Sequence, residues 1–295
     1  MVRGWRRFKP SVVDRPVVES TNLAVVARGI LERTCRELGL KLRHLSPEQL
    51  GPVVEMLRAR TAHRVGSVAR PDYAALQFAL LIAQAPGAVR AQGQMDRYPH
   101  GYRNKQERLY ELIDFNDSFV STVLALPEVQ RHDFEATARH EMARFCAQLK
   151  SPMFSEEQFE AITKGLSREI AVYLGALQAG YGVEMTSRAV DAMGADMTVT
   201  EPEHGRVINI DCKAPSAYRY RLQDLVREGR MSEAEADRAD IRGYAHEING
   251  RGDEQISVTL MRVDPNEVGE IVDFSFVEPD KLANRLRAIF ASVSQ

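Results

Sequence analysis

The sequence is short of the residues that most catalytic devices require. Its three cysteines, Cys35, Cys146 and Cys212, are odd in number and widely scattered. They form neither a disulfide framework nor a zinc-binding spacing, and they suit a reducing cytoplasm. The seven histidines show no metal-ligand pattern. His140-Glu141 opens like a zinc-protease helix, but Arg144 stands where a second histidine is required. His132 and His140, eight residues apart, have no third ligand nearby in the sequence. There is no phosphate-binding P-loop, no dinucleotide glycine fingerprint and no serine or cysteine nucleophile in a recognisable elbow. Long apolar runs are missing too. The longest, Tyr73 to Val89, is broken by Gln77, Gln84 and Pro86 and reads as too short to cross a bilayer. The opening MVRGWRRFKP has no apolar stretch after its basic residues, so it does not read as a secretory signal. The expectation is a cytoplasmic protein with no membrane partner.

What is present is an ordinary globular composition, 44% hydrophobic and 27% charged over 295 residues, enough for one large domain or two ordinary ones. The net charge of −2 conceals an asymmetry: residues 1–150 carry 23 basic and 16 acidic side chains, and residues 151–295 carry 16 and 25. A basic half joined to an acidic half suits a polyanion-binding part beside a metal-binding part, although two simply solvated halves would look the same.

The first half, 1–150, reads as helical. Ser46-Pro47-Glu48-Gln49 has the capping-box pattern ahead of Val53, Val54, Met56 and Leu57. Pro71-Asp72 opens a helix predicted to run through Leu81 and close at Pro86-Gly87. Further helices are predicted over Gln106–Ile113 and Asp133–Leu149. Two patches mix basic and aromatic residues: Arg3 to Lys9, and Arg97, Tyr98, His100, Tyr102, Arg103 and Lys105. Cations neutralise phosphates and rings stack on unpaired bases, so both patches are candidate nucleic-acid contacts. Ser155-Glu156-Glu157-Gln158 begins the second half, 151–295, with another helix start.

Glu169 to Lys213 is the stretch that carries chemistry. A helix bearing Glu169 is followed by three strand-like segments; the second begins at Asp196 and the third ends Asp211-Cys212-Lys213. Alternation along a strand puts Asp211 and Lys213 on one face and Cys212 on the other. A hairpin turn over Glu201–Gly205 sets the start of the second strand beside the end of the third, making Asp196 and Asp211 neighbours. Two such acids repel unless a positive charge lies between them, and a hard divalent cation such as Mg²⁺ is the usual solution. With seven lysines and 41 acids in the chain, about one acid-x-lysine match is expected by chance, and one is present. Its position after the β-branched run Val207, Ile208, Ile210 and its spacing from Asp196 give it weight. Beyond Lys213 a helical region is predicted through Asn249, then strands over Ile256–Val263 and Glu270–Val277 and a closing helix over Pro279–Phe290. Arg219 and Arg221, with Arg242 and His246, are placed within reach of a substrate phosphate.

At these residues the chain resembles the PD-(D/E)xK, or restriction-endonuclease-like, nuclease superfamily: a helix acid (Glu169), an acid on the second core strand (Asp196) and an acid-x-lysine on the third (Asp211, Lys213). Ala195 stands where the named motif has proline. The resemblance covers roughly residues 155–277 by element order. It implies an α/β (α+β) fold in which the helical N-terminal half precedes an αβββαβ core with a mixed central sheet. It further implies hydrolysis of DNA phosphodiesters with Mg²⁺, or Mn²⁺ in its place. Asp196, Asp211, the backbone carbonyl of Cys212 and Glu169 would hold metal, and Lys213 would position water. Many members pair as homodimers to cut both strands. Cleavage of RNA, or retention of the fold as a non-catalytic nucleic-acid-binding or assembly module, fits the same residues. Glu184, on the first strand, is a spare acid.

Overall fold

The computed structural model describes residues 20–62, 71–97, 106–251 and 253–293. The patch at Arg3–Lys9 and residues 98–105, including Tyr102, Arg103 and Lys105, lie outside them. Arg97 is an exposed last residue of a helix.

The N-terminal half is a helical bundle of α1 (Ser20–Glu37), α2 (Leu50–Ala62), α3 (Pro71–Arg97), α4 (Gln106–Ala125) and α5 (Phe134–Gln148). At its centre is α3, packed by the other four. It does not stop at Pro86 as its sequence suggests; it continues to Arg97 with the proline inside. An interior proline costs a hydrogen bond and a clash, about 3 kcal/mol. Here Ala83, Ala85, Ala88, Val89 and Ala91 are all buried around it, and their packing outweighs that cost. Length and composition would also let this helix cross a membrane, contrary to the sequence expectation, but it is sheathed by its neighbours and serves as a core helix. α4 likewise outruns its predicted end, because Phe115, Phe119, Val120 and Val123 extend its buried stripe. Phe119 packs edge-on against Phe134 at 5.1 Å between ring centroids.

α6 (Glu156–Gln178) joins the two halves. Ser155 and Gln158 cap it reciprocally, as the sequence predicts. Its first turns, through Phe159, Leu166 and Ile170, belong to the helical core. Its last turns, through Ala171, Val172 and Ala176, belong to the core under the sheet. Glu169 stands where one core gives way to the other.

The sheet is mixed and five-stranded: β1 (Gly182–Met185), β2 (Met197–Thr200), β3 (Val207–Lys213), β4 (Tyr244–Arg251) and β5 (Glu254–Arg262), in the spatial order β1-β2-β3-β5-β4. The first three form an antiparallel meander, and β5 lies parallel to β3. A four-residue helix, α7 (Arg188–Asp191), sits between β1 and β2; α8 (Pro215–Arg227) and α9 (Glu233–Arg242) follow β3. The helical region was expected to reach Asn249, but it ends at Gly243, whose φ of 76° gives α9 a left-handed cap. Tyr244 onward is the edge strand β4. The predicted strand over 270–277 is instead the small hairpin of β6 (Ile271–Val272) and β7 (Ser275–Phe276). Its turn residues Asp273 and Phe274 both have positive φ, and Phe274 docks against Phe119 in the helical core. α10 (Pro265–Val268) precedes this hairpin and α11 (Pro279–Val293) closes the chain.

Gly175 marks the tightest approach of α6 to α11. A Cβ there would lie 2.5 Å from Leu282 Cδ2 and 3.3 Å from Phe276 Cδ2. Leu282 is fully buried, so it has no room to give. Gly175→Ala is therefore expected to destabilise the fold by about 1–3 kcal/mol, read as a lower urea midpoint. An unchanged midpoint would show that this contact is loose.

Candidate active site

The meander delivers the expected convergence. The β2–β3 register ends at Met197↔Ile210, and Asp196, the residue before β2, donates its N–H to the Ile210 carbonyl at 2.8 Å, one residue short of Asp211, as in a β-bulge. Asp196 Oδ2 accepts the Cys212 N–H at 2.7 Å. Ile208, Ile210 and Cys212 face the core shared with α6 and α11, while Asp211 and Lys213 take the opposite face, under α8. Gly194, with φ of 91°, lets the chain pass close by: a Cβ there would be 3.9 Å from Asp211 Oδ2 and 3.5 Å from Asn249 Nδ2.

Electrostatics concentrates at this point. Burial, then the charges of Asp191 and Asp211, lifts the Glu169 carboxyl to about 8. Burial, then Glu169 and Asp211, pushes Asp196 well above the usual carboxylate range. Burial raises Asp211 as well, while Lys213 pulls it back. Burial alone would lower Lys213, but Asp211 and Asp196 more than offset this and hold it up at about 12. Lys213 Nζ lies 2.6 Å from Asp211 Oδ1, at angles that leave this buried oxygen without a well-directed donor. The Cys212 thiol is pushed well up by burial and is not a nucleophile.

Two more acids join that the sequence reading passed over. Arg188 of α7 pairs with Asp114 of α4 at 3.1 Å. One turn further along each helix come Asp191 and Asp117, which thereby face each other as like charges. Burial, then Asp211, raises Asp191 to about 6; burial, then Asp191 and Asp114, raises Asp117 to about 7. Asp117 has no distinguishing local signal, since α4 also carries Glu107, Glu111 and Asp114, and the only hint of Asp191 is its nearness to Gly194. Glu184 does not join; it is exposed, and its charge is felt at Tyr173.

Glu169, Asp196, Asp211 and Asp191 therefore lie within electrostatic reach of the Lys213 ammonium, and Asp117 borders Asp191 beside Arg188. Among the described residues, no three His, Cys, Asp or Glu side chains already clasp a common point. The donor set nonetheless suits a hard divalent ion: every group is a carboxylate oxygen, and the surplus negative charge is held down by protons that a cation would displace.

The predicted phosphate contacts already have protein partners, and the charge of Arg221 is felt at Asp211. Arg221 reaches Glu247 at 2.6 Å and Asn249 at 3.1 Å, on the sheet face that carries Asp211. Arg219 is exposed, 3.4 Å from Asp240. Arg242 lies over the Tyr244 ring, and His246 is bonded to Thr259 and Ser292.

Comparison of the chain with protein-family models, with curated proteins and with solved structures finds no match.

The raised acids set a pH dependence. A carboxyl whose folded-state pKa exceeds its unfolded value holds its proton more tightly when folded. Its contribution to stability is complete below the unfolded pKa and is lost as pH rises through the folded one. In chelator, the urea midpoint should fall as pH rises through about 6, 7 and 8, where Asp191, Asp117 and Glu169 ionise. Mg²⁺ should flatten that fall. A midpoint that climbs over the same window would show that these acids are not crowded.

Proposed function

We propose that the chain is a metal-dependent nuclease that hydrolyses phosphodiesters, with DNA as substrate, on a core of the PD-(D/E)xK type. The observation that carries this reading is that Asp196 is hydrogen-bonded to Ile210 and Cys212, on either side of Asp211, with Lys213 against Asp211 and the charge of Glu169 felt at Asp196. The order α6, β1, β2, β3, α8 and a strand parallel to β3 supports it, with β4 as an added edge strand.

Asp196 and Asp211 would hold Mg²⁺ or Mn²⁺, with the Cys212 carbonyl and Glu169 as further oxygen donors. The ion supplies an acidic water and charge compensation on phosphate. Asp211 and Asp196 favour the Lys213 ammonium. Its part is to hold the water lone pair and to offset charge as it develops on the phosphate oxygens. Asp211 keeps that ammonium in place through the 2.6 Å contact. Burial raises the strength of both interactions, because little water is left to screen them.

The test is incubation of the protein with supercoiled plasmid, single-stranded DNA, RNA and varied natural DNA, each with Mg²⁺, Mn²⁺ or chelator. Metal-dependent cleavage is expected, and the preferred substrate decides between DNA and RNA. Binding without cleavage under every condition would replace the enzyme with a nucleic-acid-binding module.

A further inference from the structure

A cleft of about 360 Å³ opens beside the candidate active site, next to the carboxyl ends of β3 and β5. Ligands bind preferentially at the carboxyl ends of parallel strands. The cleft is tied to the site covalently: Arg168 precedes Glu169, and Pro215 follows Lys213 by two residues. It is also tied by a hydrogen bond, from the Val263 N–H to the Lys213 carbonyl at 2.8 Å.

Its lining is mixed. Part of it is cationic: Lys164 and Arg168 lie four apart on α6 and so share a helix face. Arg168 spends one N–H on the Lys164 carbonyl at 3.0 Å, and among the described residues it has no carboxylate partner. Lys164 is mostly exposed and meets Glu160 at 2.5 Å on the surface, a contact worth little in water. The lining also includes the apolar Pro215, Pro265, Ile271 and Phe274. The two lining acids are already engaged, Asp273 by His132 at 3.0 Å and Glu135 by the Thr163 hydroxyl at 2.7 Å.

We propose that this cleft seats one nucleotide of a single strand flanking the cleaved phosphate, with its base against the prolines and isoleucine and its phosphate on Arg168 and Lys164. The inference rests on the nuclease reading and names where that substrate lies. A cavity of this size is at the low end for ligand sites, about 300–1,000 Å³, and far too small for a duplex. A bare anion would leave the apolar lining uncovered, and an apolar ligand would leave Arg168 without a partner.

The test compares the wild-type protein with the double variant Lys164→Ala/Arg168→Ala. Lys281→Ala serves as control, since Lys281 is a surface cation on α11 paired with Glu278. Binding of a short fluorescent single strand is followed in chelator as a function of salt, and cleavage in Mg²⁺ is followed as KM and kcat. The double variant should bind about tenfold more weakly, with the salt slope reduced by about 1.4, the value for two phosphate contacts on a single strand. Its KM should rise by a similar factor while the control matches wild type. Wild-type affinity and salt slope in the double variant, with cleavage intact, would overturn the seat and leave the nuclease reading standing. An equal loss of duplex and single-strand binding would also overturn it, by making these residues a general basic surface. Absence of any nucleic-acid binding or cleavage by the wild type would remove the nuclease reading and the seat together.

Discussion

Lys213→Ala is expected to lower metal-dependent cleavage by a factor on the order of 10³ or more, with nucleic-acid binding largely kept. The size of the effect follows from where the charge sits. Lys213 is a cation held against Asp211 and within electrostatic reach of Asp196 and Glu169, and it is two-thirds buried. An ammonium placed where negative charge develops acts in a poorly screened site, and single groups of this kind are worth about 10²–10³ or more in rate. Lys213→Arg should restore little, because the planar guanidinium does not fit the 2.6 Å point contact with Asp211 Oδ1. Single-turnover cleavage at saturating protein measures the chemical step directly. A variant that cleaves at the wild-type rate would move the chemistry elsewhere in the chain and undo the assignment of Asp211 with it.

Asp196→Asn is expected to give the second large effect, in opposite directions with and without metal. The amide oxygen can still accept the Cys212 N–H that Asp196 Oδ2 now takes at 2.7 Å, so the local geometry survives. The substitution removes one carboxyl that burial and two neighbouring acids drive well above its usual range. In chelator at pH 8, relief of about 1 kcal/mol of repulsion should raise Tm by about 2–4 °C. For the wild type, Mg²⁺ at about a hundred times its Kd should add about 2.7 kcal/mol, or some 5–10 °C. The variant should lose most of that response together with cleavage. Scanning calorimetry with and without Mg²⁺ separates the two halves of the prediction. A variant less stable than wild type in chelator would show that Asp196 is satisfied as an ionised structural cap, and a full Mg²⁺ response in it would place the ion elsewhere.

The cluster also explains why the helical half cannot be treated as an appendage of the sheet. Asp117 on α4 faces the site, α6 runs through both cores, and Phe274 from the C-terminal hairpin fills a gap between Phe119 and its neighbours. A recognition module joined by a linker would share none of these. Separate expression of residues 151–295 would expose Phe159, Leu166 and Ile170 on α6 and leave Phe274 uncovered.

Much of this was legible before any coordinates, and the reason is that the relevant signals are local. The capping box at Ser155, the turn at Glu201–Gly205 and the alternation through Val207–Lys213 each act within a few residues, and each gave its element correctly. One register then follows from one turn, and it carries the start of β2 to Ile210, next to Asp211. Signals that depend on distant burial misled: Pro86 reads as a stop only if its surroundings are ignored, and the 244–251 segment reads as helix until Gly243 takes its left-handed conformation.

The amino-acid sequence by itself determined the meander, the acid-x-lysine at the end of its third strand and the helix that carries Glu169. Only the tertiary structure decided that Asp117 and Asp191 crowd beside them, that Asp211 and Asp196 raise Lys213 and that a cleft lies alongside. The division has a physical cause. Hydrogen-bonded turns and side-chain alternation are fixed by neighbours along the chain, whereas a pKa or a cleft depends on which remote surfaces exclude water from the same place.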